Sequence, residues 1–325
     1  MPSRRCVAGF LGAVLLAGAT GCGMLGDSEQ QGPATGPLER KVIKVGTLGL
    51  VDSAPLHLAI DNGYFAAEGL EVQLTTGAKG SANVDNVVGG TLDFGLTSYP
   101  PAFMPQAKSV AEIRIVADAV QTTEDLILCV VATNSPIRKP ADLAEKKIAV
   151  SSKRGISELT LNSQFKMMSV DYRKIQYVSM EIAAMPAAMQ RGDVAAAVIA
   201  EPHLTAATKA GMVKLMDPFS GPTANFPWSG WIARKEFTQA NPNVVAAFKR
   251  ALNKGVADTG NRDKVGAVLT KHLKIDADTY QLMTMPVFPT SVDPVRLQRV
   301  ADLMYEQGEM DKHLDVRTMM LTASP

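Results

Sequence analysis

Residues 45–74, VGTLGLVDSAPLHLAIDNGYFAAEGLEVQL, decide the fold of this chain. A β-branched run over 42–48 predicts a strand, and helical spacing over 54–62 stops at Gly63. Glycine is common just past a helix end because it tolerates left-handed backbone angles. A second short apolar run over 70–75 predicts another strand. The order strand, helix, strand is typical of a unit with parallel strands.

The same alternation continues beyond this stretch, and the final third is helical. We predict an α/β protein with two successive α/β lobes and a mostly parallel sheet in each. In open sheets of this kind, ligands bind beyond the carboxyl ends of the strands. The further predicted strands are 92–96, 113–119, 126–132, 147–150, 175–178, 195–199 and 231–233, and the further predicted helices are 81–88, 157–168, 186–191, 244–255, 265–273 and 295–307.

Composition excludes several classes of protein. The chain has 325 residues, of which 46% are hydrophobic and 20% charged, and its formal charge is +1. This balance is globular, and the absence of a basic stripe argues against nucleic-acid binding. Three cysteines (Cys6, Cys22, Cys129) and four scattered histidines show no zinc-site or disulfide spacing, so we expect no metal and no cofactor.

The N-terminal residues have the order of an export signal. Arg4 and Arg5 precede an uncharged run over 7–19, which is too short to span a bilayer comfortably, and small residues lead to Cys22. This ending resembles the bacterial lipobox, in which the cysteine is acylated and becomes the mature N-terminus; an ordinary secretory signal is the alternative. We predict a signal peptide over 1–21, lipidation of Cys22 and a flexible tether over 22–40. The protein would then be anchored by lipid to the outer face of the bacterial cytoplasmic membrane.

Four runs, in order, resemble one known family. They are the 45–74 stretch, GTLDFG (90–95), ADLAEKKIAV (141–150) and RGDVAA (191–196). The chain resembles the NMT1/SsuA-type periplasmic binding proteins, which serve ABC importers of nitrate, taurine, aliphatic sulfonates and thiamine-precursor pyrimidines. The resemblance implies the type II periplasmic-binding-protein fold, with a ligand cleft between two α/β lobes. Lobe one is then expected at 41–127 and 229–325, and lobe two at 128–228.

Candidate ligand-binding residues occupy the loops that follow the strands of lobe one. A loop that leaves a strand and enters a helix presents backbone amides at the positive end of the helix dipole, which favours an anion. Ser81 also suits a helix cap, and Tyr99 suits packing in a loop that Pro100 and Pro101 make rigid. The candidates in this lobe are Asp52, Ser53, Lys79, Gly80, Ser81, Ser98 and Tyr99.

The equivalent candidates in lobe two are Ser152, Arg154 and Ser157, which precede or begin a helix. Ser157 also suits a helix cap, and Arg154 also suits a pair with a surface carboxylate. Glu201 precedes a proline and would either bind an amino group of the ligand or tie the hinge together. One of Trp228 and Trp231 is expected to stack on the ligand, and our candidate is Trp228. Lys79, Lys153 and Arg154 favour an anion, whereas Asp52 and Glu201 leave a zwitterion open.

The leading hypothesis is a monomeric, non-catalytic lipoprotein that captures a small solute by hinge closure and delivers it to an ABC permease. A pyrimidine-binding protein of the same family is one alternative, although residues 48–54 (LGLVDSA) lack the first-loop pattern of those relatives. A sensor ectodomain is another. An enzyme on this fold is disfavoured because no cysteine-rich motif or suitably spaced histidine is present.

Overall fold

The computed structural model describes residues 36–321. The predictions for residues 1–21, for Cys22 and for most of the tether lie outside this part of the chain. Ten strands form two five-stranded sheets. The strands are β1 Val42–Leu48, β2 Glu71–Gly77, β3 Phe94–Ser98, β4 Ile113–Gln121, β5 Ile127–Ala132, β6 Lys147–Val150, β7 Gln176–Ser179, β8 Ala196–Ala200, β9 Met212–Met216 and β10 Pro227–Arg234.

The two sheets have the same mixed design. The first has the order β2-β1-β3-β10-β4 and the second β7-β6-β8-β5-β9. In each, three strands pair in parallel, and the fourth strand in the order runs antiparallel to both of its neighbours. The antiparallel strands are β5, which enters the second sheet, and β10, which returns to the first. Four of the five strands of each sheet therefore run in the same direction, as a mostly parallel sheet requires, and the sequence did not indicate the one antiparallel strand.

Two short connections join the sheets, and they lie side by side. One follows β4 and the other precedes β10. Both the backbone amide and the hydroxyl of Thr122 donate to the Phe226 carbonyl oxygen at 3.0 Å. Ile127 already pairs with Ala200 in the second sheet, while Trp228 lies in β10 of the first. Each crossover therefore ends slightly before the lobe limit that the sequence predicted.

Twelve helices lie in the described residues. They are α1 Ala54–Asp61, α2 Tyr64–Ala67, α3 Gly80–Val88, α4 Tyr99–Ala107, α5 Ile156–Met167, α6 Met185–Gln190, α7 His203–Lys209, α8 Lys235–Ala240, α9 Pro242–Asp258, α10 Arg262–Leu273, α11 Ala277–Leu282 and α12 Pro294–Glu306. The long α9 buries an apolar face against the first sheet, where Phe248 stacks on Phe94 with ring centroids 4.0 Å apart. Trp231 packs edge-on against the same Phe248 ring.

Two predictions about local structure need correction. Pro100 and Pro101 do not make a loop; they stand in the first turn of α4, where a missing amide hydrogen is tolerated. Residues 36–40 of the predicted tether are docked on the body. Glu39 accepts hydrogen bonds from the backbone amides of Asn243 and Val244 at the start of α9, and Arg40 pairs with Asp93 at 3.1 Å.

Candidate functional site

A cavity of about 330 Å³ lies between the carboxyl ends of the two sheets. This volume is near the lower end for ligand pockets, so it suits a small solute. Residues of both sheets and of the loops that follow their strands form its walls. They are Leu48, Gly49, Leu50, Asp52, Thr76, Gly77, Ala78, Lys79, Gly80, Ser98, Trp228 and Ser229 on the first side, and Ile127, Ser151, Ser152, Ile156, Ser157, Glu181, Ile182, Ala183, Val198, Ala200 and His203 on the second.

Two helices of substantial length begin at the cavity with uncapped amides. Gly80 begins α3 and Ile156 begins α5, and both residues line the cavity. Neither N-cap residue, Lys79 or Gly155, makes a side-chain capping hydrogen bond. The first backbone amides of a helix have no partner within the helix and carry partial positive charge. These two helix ends together suit an anion. The start of α3 lies in the first lobe and the start of α5 in the second.

Hydroxyl groups surround the same region on the second side. Ser151 and Ser152 follow β6, and Ser157 lies in the first turn of α5. A serine hydroxyl both donates and accepts hydrogen bonds, so this wall can bind oxygen atoms of an anion. Helix α4 contributes less, because Pro100 and Pro101 have no amide hydrogen to donate.

Asp52 is a buried carboxylate on the first wall. It lies in the 3-10 turn Val51–Ser53 between β1 and α1, and the residue is 1% exposed. Neither carboxylate oxygen has a hydrogen-bond partner among the described residues, and the same holds for the neighbouring Ser229 hydroxyl. Burial raises the pKa of Asp52 to about 7. The Ser229 hydroxyl and the backbone amides of Asp52 and Ser53 lie close enough to lower the pKa in part, without completing a hydrogen bond. Such a group is costly unless something pairs with it.

Lys79 connects the two sides of the cavity. Its Nζ donates to Ser179 Oγ at 3.2 Å, and Ser179 Oγ in turn donates to the Ser151 carbonyl oxygen at 3.1 Å. Lys79 precedes α3 of the first lobe, whereas Ser179 ends β7 of the second. The lobes therefore contact each other at the edge of the cavity through a cation.

The structure brings together part of the predicted site. The predicted residues that line the cavity are Asp52, Lys79, Gly80, Ser98, Ser152, Ser157 and Trp228. Those that do not line it are Ser53, Ser81, Tyr99, Arg154 and Glu201. Of the two tryptophans, Trp228 lines the cavity and Trp231 is 1% exposed within the core.

Two of the misplaced residues are occupied inside lobe one. Ser53 Oγ donates to the Leu50 carbonyl oxygen at 2.7 Å, which closes the turn that holds Asp52. The Tyr99 ring is fully buried, and its hydroxyl donates to Asp118 Oδ1 at 2.6 Å. Tyr99 therefore packs in the core, as the packing alternative expects. It does so as the first residue of helix α4 and not in a loop.

Arg154 and Glu201 are also engaged elsewhere. The Arg154 side chain is 66% exposed and lies 3.4 Å from Glu309, outside the cavity. Glu201 accepts from the amide and hydroxyl of Thr205 in α7 and from the amide of Thr284 near the C-terminus. Since Thr284 follows α11, this carboxylate ties the end of β8 to the segment after α11.

Sequence reasoning missed several lining residues that follow strands. Glu181 comes just after β7, and His203 begins α7 after β8. The rule that ligands bind beyond the strand ends applies to both, but β7 and α7 carry no distinctive motif. Burial lowers the pKa of His203, so the neutral imidazole is favoured. Ser229 was missed because it follows Trp228 within a strand.

The described residues carry no feature of a metal centre or a membrane span. No group of three or more His, Cys, Asp or Glu side chains within 36–321 is placed to hold a metal ion. In the same range, no helix combines the length and apolarity needed to cross a membrane. Cys129 is buried in β5, where burial raises its thiol pKa to about 12 and keeps it unreactive.

The fold is two α/β lobes with a polar cavity between their strand ends, and comparison with known proteins gives the family. A family model described as NMT1/THI5 like matches residues 51–263. The chain belongs to this NMT1/THI5-like family, as the sequence resemblance predicted.

Two named relatives agree with this family assignment, and a solved structure agrees with the fold. A putative aliphatic sulfonates-binding protein of Escherichia coli K12 is 27% identical over 238 residues, which cover 70% of this chain and 72% of the relative. The taurine-binding periplasmic protein of the same organism is 26% identical over 196 residues, covering 59% and 58%. The crystal structure of the E. coli periplasmic aliphatic sulphonate binding protein SsuA matches with a TM-score of 0.70 at 21% identity, covering 88% of this chain and 94% of that one. The predicted periplasmic-binding-protein fold is confirmed.

Proposed function

We propose that this protein is the solute-binding lipoprotein of an ABC importer, which captures a small anionic or zwitterionic solute, like a sulfonate, taurine or nitrate, and delivers it to a membrane permease. The observation that carries the proposal is the cavity itself. Its walls come from both lobes, and the starts of α3 and α5 face it from opposite sides. A ligand held by both helix ends stabilises the arrangement in which the lobes are together.

The proposed ligand-binding set follows from the lining residues. Backbone amides at Gly80 and Ile156, with the hydroxyls of Ser152 and Ser157, bind the anionic group. Trp228 offers an apolar face to the ligand's carbon atoms, since its ring is 6% exposed and lies at the cavity. The roles of binding and delivery need no catalytic group, so we propose no enzymatic activity.

The function is tested by identifying the solute. Mass spectrometry of material that co-purifies with the full chain should show a small sulfonate, amino sulfonate or related anion, and calorimetric titration should then give a single site per chain. A protein that binds none of taurine, 1-propanesulfonate and nitrate in such titrations overturns this ligand class.

The location is tested separately. We expect Cys22→Ser to abolish lipid labelling and to leave the protein either unprocessed or released from the membrane fraction. A matched Cys6→Ser variant changes a residue inside the predicted signal peptide and should behave like wild type. Unchanged membrane attachment of a correctly cleaved Cys22→Ser protein contradicts the lipid anchor.

A further inference from the structure

The charges that line the cavity do not match a purely anionic solute. Lys79 is the cationic side chain in the lining, and its ammonium is already hydrogen-bonded to Ser179. The carboxylates of Asp52 and Glu181 line the same cavity, and Lys153 and Arg154 lie outside its walls. The side chains thus contribute at least as much negative as positive charge, while the positive potential comes from helix amides.

Asp52 differs from these groups because its carboxylate is buried and has no hydrogen-bond partner among the described residues. Glu181 is exposed to solvent, which satisfies its charge. Asp52 is 1% exposed, and both of its oxygens lack a partner among the described residues, as does the Ser229 hydroxyl beside it. Buried carboxylates in folded proteins are normally paired or hydrogen-bonded. The missing partner is therefore a donor that arrives with the solute.

We propose that the solute carries a protonated amino group, which donates hydrogen bonds to the carboxylate of Asp52 and to Ser229 Oγ while its anionic end binds the starts of α3 and α5. This inference rests on the proposed function and narrows it: the site selects an amino-bearing zwitterion over a plain anion of the same shape. Asp52 thereby acts as the specificity-determining residue of the site.

The titration of Asp52 supports the same assignment. No cationic side chain contributes to the pKa of Asp52, which burial raises to about 7. An ammonium that arrives beside it favours the ionised carboxylate, so binding releases a proton near neutral pH. The other titratable groups at the cavity are Lys79, Glu181 and His203, and buried Asp118 on the neighbouring β4 is paired with Tyr99 and Arg296.

The test compares two ligands of nearly equal shape. Taurine and 1-propanesulfonate share the sulfonate and differ by an ammonium in place of a methyl group. We expect wild-type full chain, freed of co-purifying solute, to bind taurine about 10- to 100-fold more tightly, as for a hydrogen bond to a charged group. Asp52→Asn should remove this preference, chiefly by weakening taurine. Asp93→Asn is a matched control, because that buried carboxylate pairs with Arg40 away from the cavity.

Proton release gives a second readout. Titrations of taurine in buffers of different ionisation enthalpy should show proton release by the wild type near pH 7 and little by Asp52→Asn. If Asp52→Asn does not fold, the ligand preference and the proton release of the wild type still test the proposal.

The outcomes separate the two proposals. Equal or tighter binding of 1-propanesulfonate by the wild type overturns the amino-group inference and leaves a sulfonate-binding protein. An unchanged preference in Asp52→Asn also overturns it. Failure of both sulfonates to bind while nitrate binds overturns the inference alone. Failure of all three overturns the proposed ligand class, and the inference falls with it.

Discussion

Lys79 of the first lobe donates a hydrogen bond to Ser179 of the second, with Nζ 3.2 Å from Oγ. Both residues lie where a strand has just ended or a helix is about to begin, so the contact joins the two lobes at the rim of the cavity. A bond of this kind exists only when the lobes are together. It therefore stabilises this arrangement of the two lobes independently of any ligand.

The first prediction concerns this bond. Lys79→Met and Ser179→Ala should each weaken taurine binding, with a coupling energy of about 1 kcal/mol between the two sites. Lys79→Met should have the larger effect, because it also removes a positive charge from the cavity wall. Calorimetric titration of both single variants and the double variant measures the coupling. Lys235→Met, which removes a pair with Glu112 on the surface, is the control. If the losses of binding free energy in the two single variants simply add up in the double variant, then the Lys79–Ser179 hydrogen bond does not contribute to taurine binding.

The second prediction reverses the expectation for Arg154. The sequence places this residue at a helix entry and suggests a contact with the anion. In the structure its guanidinium is mostly exposed beside Glu309, and exposed ion pairs contribute about 0–1 kcal/mol. Arg154→Ala should therefore change taurine affinity by less than about threefold. Ser157→Ala, which truncates a hydroxyl at the cavity, should weaken it by about three- to tenfold. A loss of tenfold or more in Arg154→Ala would return Arg154 to the site.

Loop position explains why Lys79 lies at the cavity, as the sequence led us to expect, whereas Arg154 does not. Strand ends and helix starts can be located from hydrophobic patterning, and this places the loops at 77–81 and 151–157 at the cavity. The direction of each side chain depends on local backbone angles. Arg154 has a positive φ of 54°, and its amide donates to Glu158 at the start of α5. No pattern in the sequence indicates this turn. In the structure, the guanidinium of Arg154 points out of the cavity toward Glu309.

The tryptophans show a similar limit. Side chains alternate between the faces of a strand, so residues 228 and 231 are expected on opposite faces of β10. The pattern cannot tell which face meets the cavity. That depends on β10 lying antiparallel between β3 and β4, a long-range pairing that local sequence does not specify. Asp52 was a candidate because it lies in the loop region after β1, whereas its lack of any partner among the described residues is visible only in three dimensions.

The third prediction uses the stability of the ligand-free protein. Burial raises the pKa of Asp52 to about 7 from an ordinary value of 3.8, so the folded state holds this proton more tightly than the unfolded state. The associated stability is present below about pH 4 and is lost as pH rises through about 7, on the order of 4 kcal/mol. Asp52→Asn should therefore stabilise the ligand-free protein at about pH 8 and much less at about pH 4, as measured by urea unfolding. If the Asp52→Asn variant is as stable as the wild type at both pH values, then the Asp52 carboxylate has a compensating partner or lies in water.

The fourth prediction concerns His57, which the sequence analysis did not include among the site residues. His57 on α1 is 3% exposed, neither ring nitrogen has a hydrogen-bond partner among the described residues, and the ring stacks on His272 of α10 with centroids 4.2 Å apart. Burial is the main cause that lowers the pKa of His57 to about 4; His272 and Lys271 lower it further, and Asp61 opposes them.

Because that pKa lies below the ordinary 6.5, the unfolded state takes up a proton first as the solution is acidified. Stability should be full above about pH 6.5 and fall by about 3 kcal/mol as pH drops toward 4. His57→Phe keeps a flat ring in the stack and removes the titration. Its urea-unfolding free energy should decline less than that of wild type between about pH 7 and pH 4. His313→Phe, at a histidine whose side chain is 63% exposed, should retain the wild-type slope. The groups around His57 are the same in all three proteins, so the difference in slope between His57→Phe and the other two isolates His57. Equal slopes would place its ring in water.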